Sequence, residues 1–376
     1  MAAAELFIGL MSGTSLDGVD GVLADFSDGR IAVRAYASAP FPEALRAELL
    51  ALNTPGDNEL HRAALAGNGL ARAYADVVAQ LLAGSGTLAV EVTALGAHGQ
   101  TVRHRPTEFD GVGYTLQLNN PSLLAELTGI EVVADFRSRD LAAGGQGAPL
   151  VPAFHRALFA RVGESVAVLN IGGISNLSLL PAADAPGDPA VLGFDCGPGN
   201  ALMDHWCQLH TGQPFDRAGQ WAASGQALPE LLTRLRAEAY FAKQPPKSTG
   251  RDLFNPAWLS ACLGTATAAA PADVQATLAE FTASVCADDV LRYGNDSKLL
   301  IVCGGGALND HLLARLRALL PGVEVAASTK HGLPPQQVEA AAFAWLARST
   351  VRREAGNLAS VTGARGARVL GAVYPA

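Results

Sequence analysis

Apolar and polar positions along the chain fall into blocks that alternate between the strand period and the helix period. Two apolar runs, Phe7–Met11 and Val19–Phe26, flank a polar stretch of Gly, Ser, Thr and Asp and predict a hairpin, with Arg30–Ser38 as a third strand. Leu65, Ala73, Tyr74, Val77, Val78, Leu81 and Leu82 recur at helical spacing and predict a helix over 62–83. "VTALGAHGQTVRH" reads as a strand ending in polar loop residues, and "GIEVVADFRSRD" repeats that arrangement. "LAAGGQGAPLVPAFHRALF" reads as a Gly-rich loop with Pro149 starting a helix.

A second series begins at "ESVAVLNIGGISNLSLLP", where apolar runs flank Gly172–Gly173 and predict another hairpin. Residues 182–190 form a loop before "AVLGFDCGPGNALMDHW", and residues 218–292 read as mostly helical. "KLLIVCGGGALNDHLLARLRALL" is strand, Gly turn, helix, and Val338–Arg348 is a last long helix. Strands alternating with helices make an α/β protein. A Gly-centred hairpin opens each half, near residues 13 and 172, which hints at duplication.

Composition narrows the functional classes. The 376 residues suffice for two or three domains with large cores. A net charge of -8 argues against nucleic acid or an anionic membrane as a general partner. The five cysteines are scattered without a CxxC or zinc-like pair, as expected of a reduced, cytoplasmic protein. "MAAAELFIGLM" lacks the basic start of a signal peptide, and no run reaches the roughly 18–20 apolar residues that span a bilayer.

Four Gly-rich junctions, at 13–18, 144–147, 172–173 and 304–306, raise the question of chemistry. None is a Walker A loop, no GxGxxG follows a strand, and "GTSLD" misses the nucleophile elbow because Asp17 stands where its second Gly belongs. Any one junction is as well explained by a bare turn. Together, turns of this kind present backbone amides and the Ser12, Thr14 and Ser15 hydroxyls to phosphate oxygens without a lysine. In "GFDCGPGN", Asp195 follows a strand among glycines and either projects from a rigid turn or caps the helix near Asn200. His98, Gln100 and Thr101 sit at a strand end, where α/β proteins bind ligands, though a satisfied structural histidine is equally natural. "ADFRSRD" gathers Asp135, Arg137 and Arg139 as an exposed salt-bridge cluster or an anion anchor. Glu339 in a first helical turn is explained by the helix dipole alone.

The paired hairpins and GGG turn resemble the actin/Hsp70/hexokinase-like ATPase superfamily. That resemblance implies a two-lobed, ribonuclease H-like duplicated fold with the active site in the interlobe cleft. Its first phosphate hairpin falls on Gly13–Asp20, its second on Asn170–Asn176, and its adenosine motif on Cys303–Asn309. The superfamily's usual hairpin aspartates are replaced here by Ser12 and Asn170, so a catalytic carboxylate must come from elsewhere. With "GLMSGTSLDGVD", "HGQTVRH", "ADFRSRDLAAGGQGAPLVPAFH", "NIGGISN", "GFDCGPGNALMD" and "VEAAAFAWLA", the chain resembles the anhydro-N-acetylmuramic acid kinase family from about residue 7 to about residue 348.

The family uses ATP, with Mg²⁺, and water to cleave the 1,6-anhydro bridge of its sugar and phosphorylate the 6-oxygen, in peptidoglycan recycling. The resemblance implies Asp195 as general base and Glu339 as a residue that positions the water. It implies ATP contacts at Gly13, Thr14, Ser15, Leu16, Asp17, Gly18, Val19, Asp20, Asn170, Gly172, Gly173, Gly304, Gly305 and Gly306. Sugar contacts fall on His98, Gln100, Thr101, Arg137, Gln146 and Gly147. The metal is left with Asp17 or Asp20 through water, or rides on ATP. A homodimer is implied by the resemblance alone. The expected lobes are 1–138 completed by 355–376, and 139–354. Another sugar kinase of the superfamily, or an actin- or Hsp70-like interaction protein, remains the alternative.

Overall fold

The structure, a computed structural model, describes residues 5–13, 15–27, 29–187, 189–250, 253–264, 269–294 and 296–376. The chain forms two compact units, residues 1–158 with 337–376, and residues 159–336. In unit 1 the strands are β1 (Leu6–Met11), β2 (Gly18–Asp25), β3 (Ala32–Pro40), β4 (Val92–Ala97), β5 (Gln100–Pro106), β6 (Gly113–Leu118) and β7 (Val132–Ala134). Unit 2 carries β8 (Val166–Ile171), β9 (Ile174–Leu180), β10 (Leu192–Pro198), β11 (Leu299–Cys303) and β12 (Glu324–Ala327). The last strand, β13 (Ala372–Tyr374), returns to unit 1.

The two main sheets share one topology. Unit 1 runs β3-β2-β1-β4-β7, with β13 antiparallel outside β7; unit 2 runs β10-β9-β8-β11-β12. In each, the first three strands form an antiparallel meander and the fourth and fifth add parallel to the first. That common order bears out the duplication hinted at by the two Gly-centred hairpins. β5 and β6 form a separate two-stranded ribbon, so "GQTVRH", expected as a loop, is itself extended.

In unit 1 the sheet is covered on both faces, and two glycines show how closely. An added Cβ at Gly9 would lie 1.9 Å from the Ala340 carbonyl oxygen, and one at Gly96 would lie 2.0 Å from that of Phe343. The Ala-rich helix Val338–Val351 therefore rests directly on β1 and β4, small residue against small residue. Leu10 and Gly21 pair across β1 and β2 and so share the other face, where Gly21 meets Val77 of the helix Glu59–Ser85. This packing explains why the second boundary falls at 337 rather than at 354; the first falls at 158 rather than at 138. Residues 338–351, expected in the second lobe, are the lid of the first sheet's core.

Unit 2 builds its core from β8–β11 and the helix Pro271–Tyr293, whose buried side chains include Val274, Leu278, Phe281 and Val285. Phe241, Phe254, Trp258 and Phe281 form an aromatic cluster with ring centroids 5.1–6.1 Å apart. Pro149 does not start a helix; it precedes the helix Val151–Phe159 after a cis peptide bond. No helix among the described residues is long and apolar enough to cross a membrane.

Candidate active site

Unit 1 gathers the polar residues at the ends of β1 and β4 into one network. The Ser12 hydroxyl donates to the Gly99 carbonyl at 3.2 Å and lies 3.0 Å from the Tyr74 hydroxyl, which accepts the Gly99 N–H at 3.1 Å. His98 follows β4, with Nδ1 3.3 Å from the Ser12 carbonyl oxygen and Nε2 2.9 Å from an Arg137 guanidinium nitrogen. Those partners make Nδ1 the protonated nitrogen and Nε2 an acceptor. Burial and the Arg137 charge hold His98 down at about 3, so it stays neutral. Arg137 also donates to the Gly147 carbonyl at 2.7 Å. Burial lowers the guanidinium to about 10, with the Glu339 and Asp140 carboxylates acting in the opposite direction, so it remains a cation.

Gln100 is buried; its Nε2 donates to the Gly13 carbonyl at 3.1 Å, while its Oε1 has no partner among the described residues. A buried acceptor without a donor costs about 1–3 kcal/mol and is accounted for by a ligand or water that supplies one. Gly13, His98, Gln100, Arg137, Gly147 and Glu339 are thus linked by bonds or by charge within unit 1. The Gly144–Gly147 loop is fixed by Asp140, a buried carboxylate that the sequence does not single out. Its oxygens accept from Gly147 N–H (2.8 Å), Asn357 Nδ2 (2.6 Å) and the Thr362 hydroxyl (2.8 Å). Asp140 falls in a charge run that reads as a solvated face, and only the fold shows it turned inward.

The other expected contacts differ in what they expose. Leu16 and Val19 enter the core, because the tip needs apolar anchors, and the Leu16 N–H is taken by the Gly13 carbonyl at 3.2 Å. Asp20 accepts from the Tyr36 hydroxyl at 2.6 Å. Thr101 accepts from Gln117 at 3.2 Å in the ribbon. Gln146 is exposed, and its backbone N–H donates to the Thr362 carbonyl at 2.7 Å. Ser15 and Gly18 are partly buried and Asp17 is exposed. Thr14 lies outside the described residues.

In unit 2 three glycine turns come together. Gly199 and Asn200 donate their N–H groups to the Gly173 and Gly172 carbonyls at 2.9 and 2.7 Å. An added Cβ at Gly199 would lie 2.3 Å from the Gly172 oxygen, and one at Gly306 would lie 2.5 Å from Ile171 Cβ. Gly305 faces Asn200, and Asn170 Oδ1, opposite Cys303 in the ladder, accepts from the Cys303 thiol at 3.7 Å. Gly199, Gly304 and Gly306 thus leave no space for a Cβ against residues 170–172, whereas Gly172 and Gly305 meet only ordinary contacts.

Asp195 does not follow its strand. It lies within β10, paired with Asn176, just before a bulge at Cys196 where the register shifts. Such a bulge re-aims the neighbouring side chain. The Asp195 N–H donates to the Lys247 carbonyl at 3.1 Å, and Thr249 N–H donates to Asp195 Oδ2 at 3.0 Å. The Tyr240 hydroxyl donates to the Asp195 carbonyl at 2.6 Å. Burial raises the carboxyl to about 6, against the opposing pull of Thr249 N–H and Lys247. A base with that affinity is ionised at neutral pH yet still basic enough to take a proton. The Thr249 hydroxyl is buried without a partner among the described residues. Lys247, Thr249 and Tyr240 do not stand out in the sequence; one signal was available, a lysine after Pro245–Pro246 in a chain with only four.

Among the described residues no group of three or more His, Cys, Asp or Glu side chains is arranged to hold a metal ion.

A family model described as anhydro-N-acetylmuramic acid kinase matches residues 5–376. The anhydro-N-acetylmuramic acid kinase of Variovorax paradoxus (strain S110) is 88% identical over 374 residues, covering 100% of each chain. That of Albidiferax ferrireducens is 62% identical, covering 99% of this chain and 100% of the relative. Among solved structures, the activator of the 2-hydroxyisocaproyl-CoA dehydratase from Clostridium difficile with bound ADPNP aligns with a TM-score of 0.49 at 13% identity, covering 93% of this chain and 96% of that one. On the family match and these full-length identities, the chain belongs to the anhydro-N-acetylmuramic acid kinase family.

Proposed function

We propose that this protein uses ATP and water to open the 1,6-anhydro bridge of anhydro-N-acetylmuramic acid and to phosphorylate its 6-oxygen, in cell-wall recycling. The observation that carries the reading is Asp195, a carboxylate in a bulged strand, oriented by Thr249 N–H and raised to about 6. Asp195 takes a proton from water as the water oxygen bonds to carbon 1. The bond from carbon 1 to the bridge oxygen breaks, and that oxygen takes the γ-phosphoryl group. ADP and N-acetylmuramic acid 6-phosphate result. General-base help of this kind is worth about 10²–10⁴-fold.

Glu339 is the residue proposed to position the water, and beside Asp195 the Thr249 hydroxyl, unpartnered among the described residues, is a further group of unit 2 that could bond to it. His98, Gln100, Arg137 and Gly147 form the sugar-binding group of unit 1, with the Gln100 acceptor open to a ligand donor. Thr101 and Gln146 stand at its margin. The turn at 13–20 and the glycine surface of Asn170, Gly172 and Gly173 take the phosphates, and Gly304–Gly306 the adenosine. Mg²⁺, when bound with the nucleotide, would neutralise phosphate charge, with Asp17 or Asp20 as the carboxylate that would meet it through water; Asp17 is exposed and Asp20 accepts from Tyr36. The same reading makes the protein a cytoplasmic homodimer with a small-molecule substrate. Five free cysteines favour the reduced compartment; the dimer rests on the resemblance alone.

Incubation with ATP and anhydro-N-acetylmuramic acid in oxygen-18 water tests the reading. Label at the anomeric hydroxyl together with a 6-phosphate is the expected product. A phosphorylated sugar with its bridge intact would make the protein an ordinary sugar kinase. No sugar product at all would favour an ATP-dependent interaction protein.

A further inference from the structure

Lys247 is the buried lysine of unit 2, its side chain 2% exposed, and it forms an ion pair with Asp289 whose Nζ–O distances are 3.0 and 3.1 Å. The ammonium also lies 5.3 Å from the Phe194 ring centroid and 5.4 Å from that of Tyr240. These neighbours are not incidental. Phe194 precedes Asp195 in β10, and Tyr240 donates its hydroxyl to the Asp195 carbonyl. The Lys247 carbonyl accepts the Asp195 N–H, and two residues on, Thr249 N–H holds Asp195 Oδ2. Residues 247–249 thus form a strap that grips the aspartate by backbone and by side chain.

Stability does not account for the charge pair. Desolvating two ions costs several kcal/mol each, and apolar residues of similar size often serve as well or better. What apolar residues cannot supply is a fixed positive charge over the Phe194 ring, next to Asp195 in its strand. We infer that Lys247 is a positioning residue for Asp195, fixing the carboxylate's direction through the strap and its charge state through the Asp289-anchored ammonium. The inference rests on Asp195 being the base proposed above.

The other titratable groups packed here do not replace that charge. Tyr240 is held neutral by burial and neighbouring acids, and Cys196, facing Cys286, is pushed well up by burial. Asp289 is raised by burial despite its lysine, and Asp288 pairs with Arg236 at the surface. Without Lys247, burial acts on Asp195 opposed only by the Thr249 amide.

The test is the pH dependence of kcat for the full-length enzyme with saturating ATP and anhydro sugar, from pH 5 to 9. Lys247→Met moves the acidic limb upward by about one pH unit. Relative turnover then falls about fivefold at pH 6 and returns to within a few-fold of the parent at pH 8.5, with KM for ATP unchanged. Lys247→Met/Asp289→Leu removes both buried charges, so it escapes the cost of a stranded aspartate, and it shows the same displaced limb. Asp195→Asn is the control for the base assignment. An inactive Asp195→Asn alongside an unmoved limb in the double variant overturns the role of Lys247 and leaves the base in place. A nearly fully active Asp195→Asn overturns the base itself.

Discussion

Asp195→Asn separates a functional aspartate from a structural one, because the two readings predict opposite signs for stability. The carboxyl moves from 3.8 to about 6 on folding, chiefly through burial. A tenfold change in proton affinity corresponds to about 1.4 kcal/mol, so the ionised group costs the folded protein about 3 kcal/mol at pH 8. The sign follows from proton release. Below about pH 4 both states are protonated and no cost exists; as pH rises, the unfolded chain ionises first, and the full cost is reached above about pH 6. Asparagine keeps the volume and can still accept from Thr249 N–H, but carries no charge. The variant is therefore expected to be more stable than the parent by about 3 kcal/mol at pH 8 and by about 1 kcal/mol at pH 4.5. For a unit of this size that gain raises Tm by several degrees at pH 8. Calorimetry at the two pH values, beside a turnover assay, reads both quantities. Turnover should fall by at least about 10²-fold. A variant that loses stability at pH 8, or gains equally at both pH values, would refute the burial argument, and one that keeps its turnover would refute the base.

Arg137→Ala strips the donors from His98 Nε2 and the Gly147 carbonyl; KM for the sugar should rise about tenfold or more with little change for ATP, and the reverse pattern would contradict sugar binding there. Gly199→Ala drives a methyl against the Gly172 carbonyl, 2.3 Å away; it should destabilise unit 2 by about 1–3 kcal/mol and raise KM for ATP, while an unaltered KM would detach that turn from the nucleotide. Asp140→Ala leaves Gly147 N–H, Asn357 and Thr362 without their shared acceptor and should cost about 3 kcal/mol or more, seen as a lowered denaturation midpoint. His98, His104 and His155 are held neutral, at about 3, 4 and 3, by burial. Unit 1 should therefore be fully stabilised above about pH 6.5 and lose stability as pH falls below it. Hydrogen exchange in β1 and β4, corrected for intrinsic rate, should show reduced protection at pH 5.5 relative to pH 7.5; equal protection would contradict the assignment.

What the sequence disclosed follows from which interactions are local. Hairpins around Gly13 and Gly172, the long helix ending at Ser85 and the strand–GGG–helix turn are set by short-range period and turn chemistry, and all of them form. His98, Gln100 and Arg137 stood out because polar residues at strand ends carry a local mark, and Asp195 because it sits among glycines in the sequence. The strap at 247–249 did not, since its bonds to Asp195 join residues more than fifty positions apart. Asp140 was hidden for the same reason: its partners Asn357 and Thr362 lie over two hundred residues downstream. The unit boundary was misplaced because nothing near Val338 announces that its helix will rest on Gly9 and Gly96; steric allowance at one end of the chain is decided by residues at the other.

That last pairing has a bearing on how the molecule is made. Residues 159–336 are continuous and can fold as soon as they leave the ribosome, whereas the sheet begun by β1 stays uncovered on one face until Val338–Val351 is synthesised. The nascent chain must carry an open apolar surface through most of translation, at about 5–20 residues per second. The earliest strands to emerge are thus the last to be sealed, and premature termination before residue 338 would leave a finished second unit tethered to an unfinished, aggregation-prone first one.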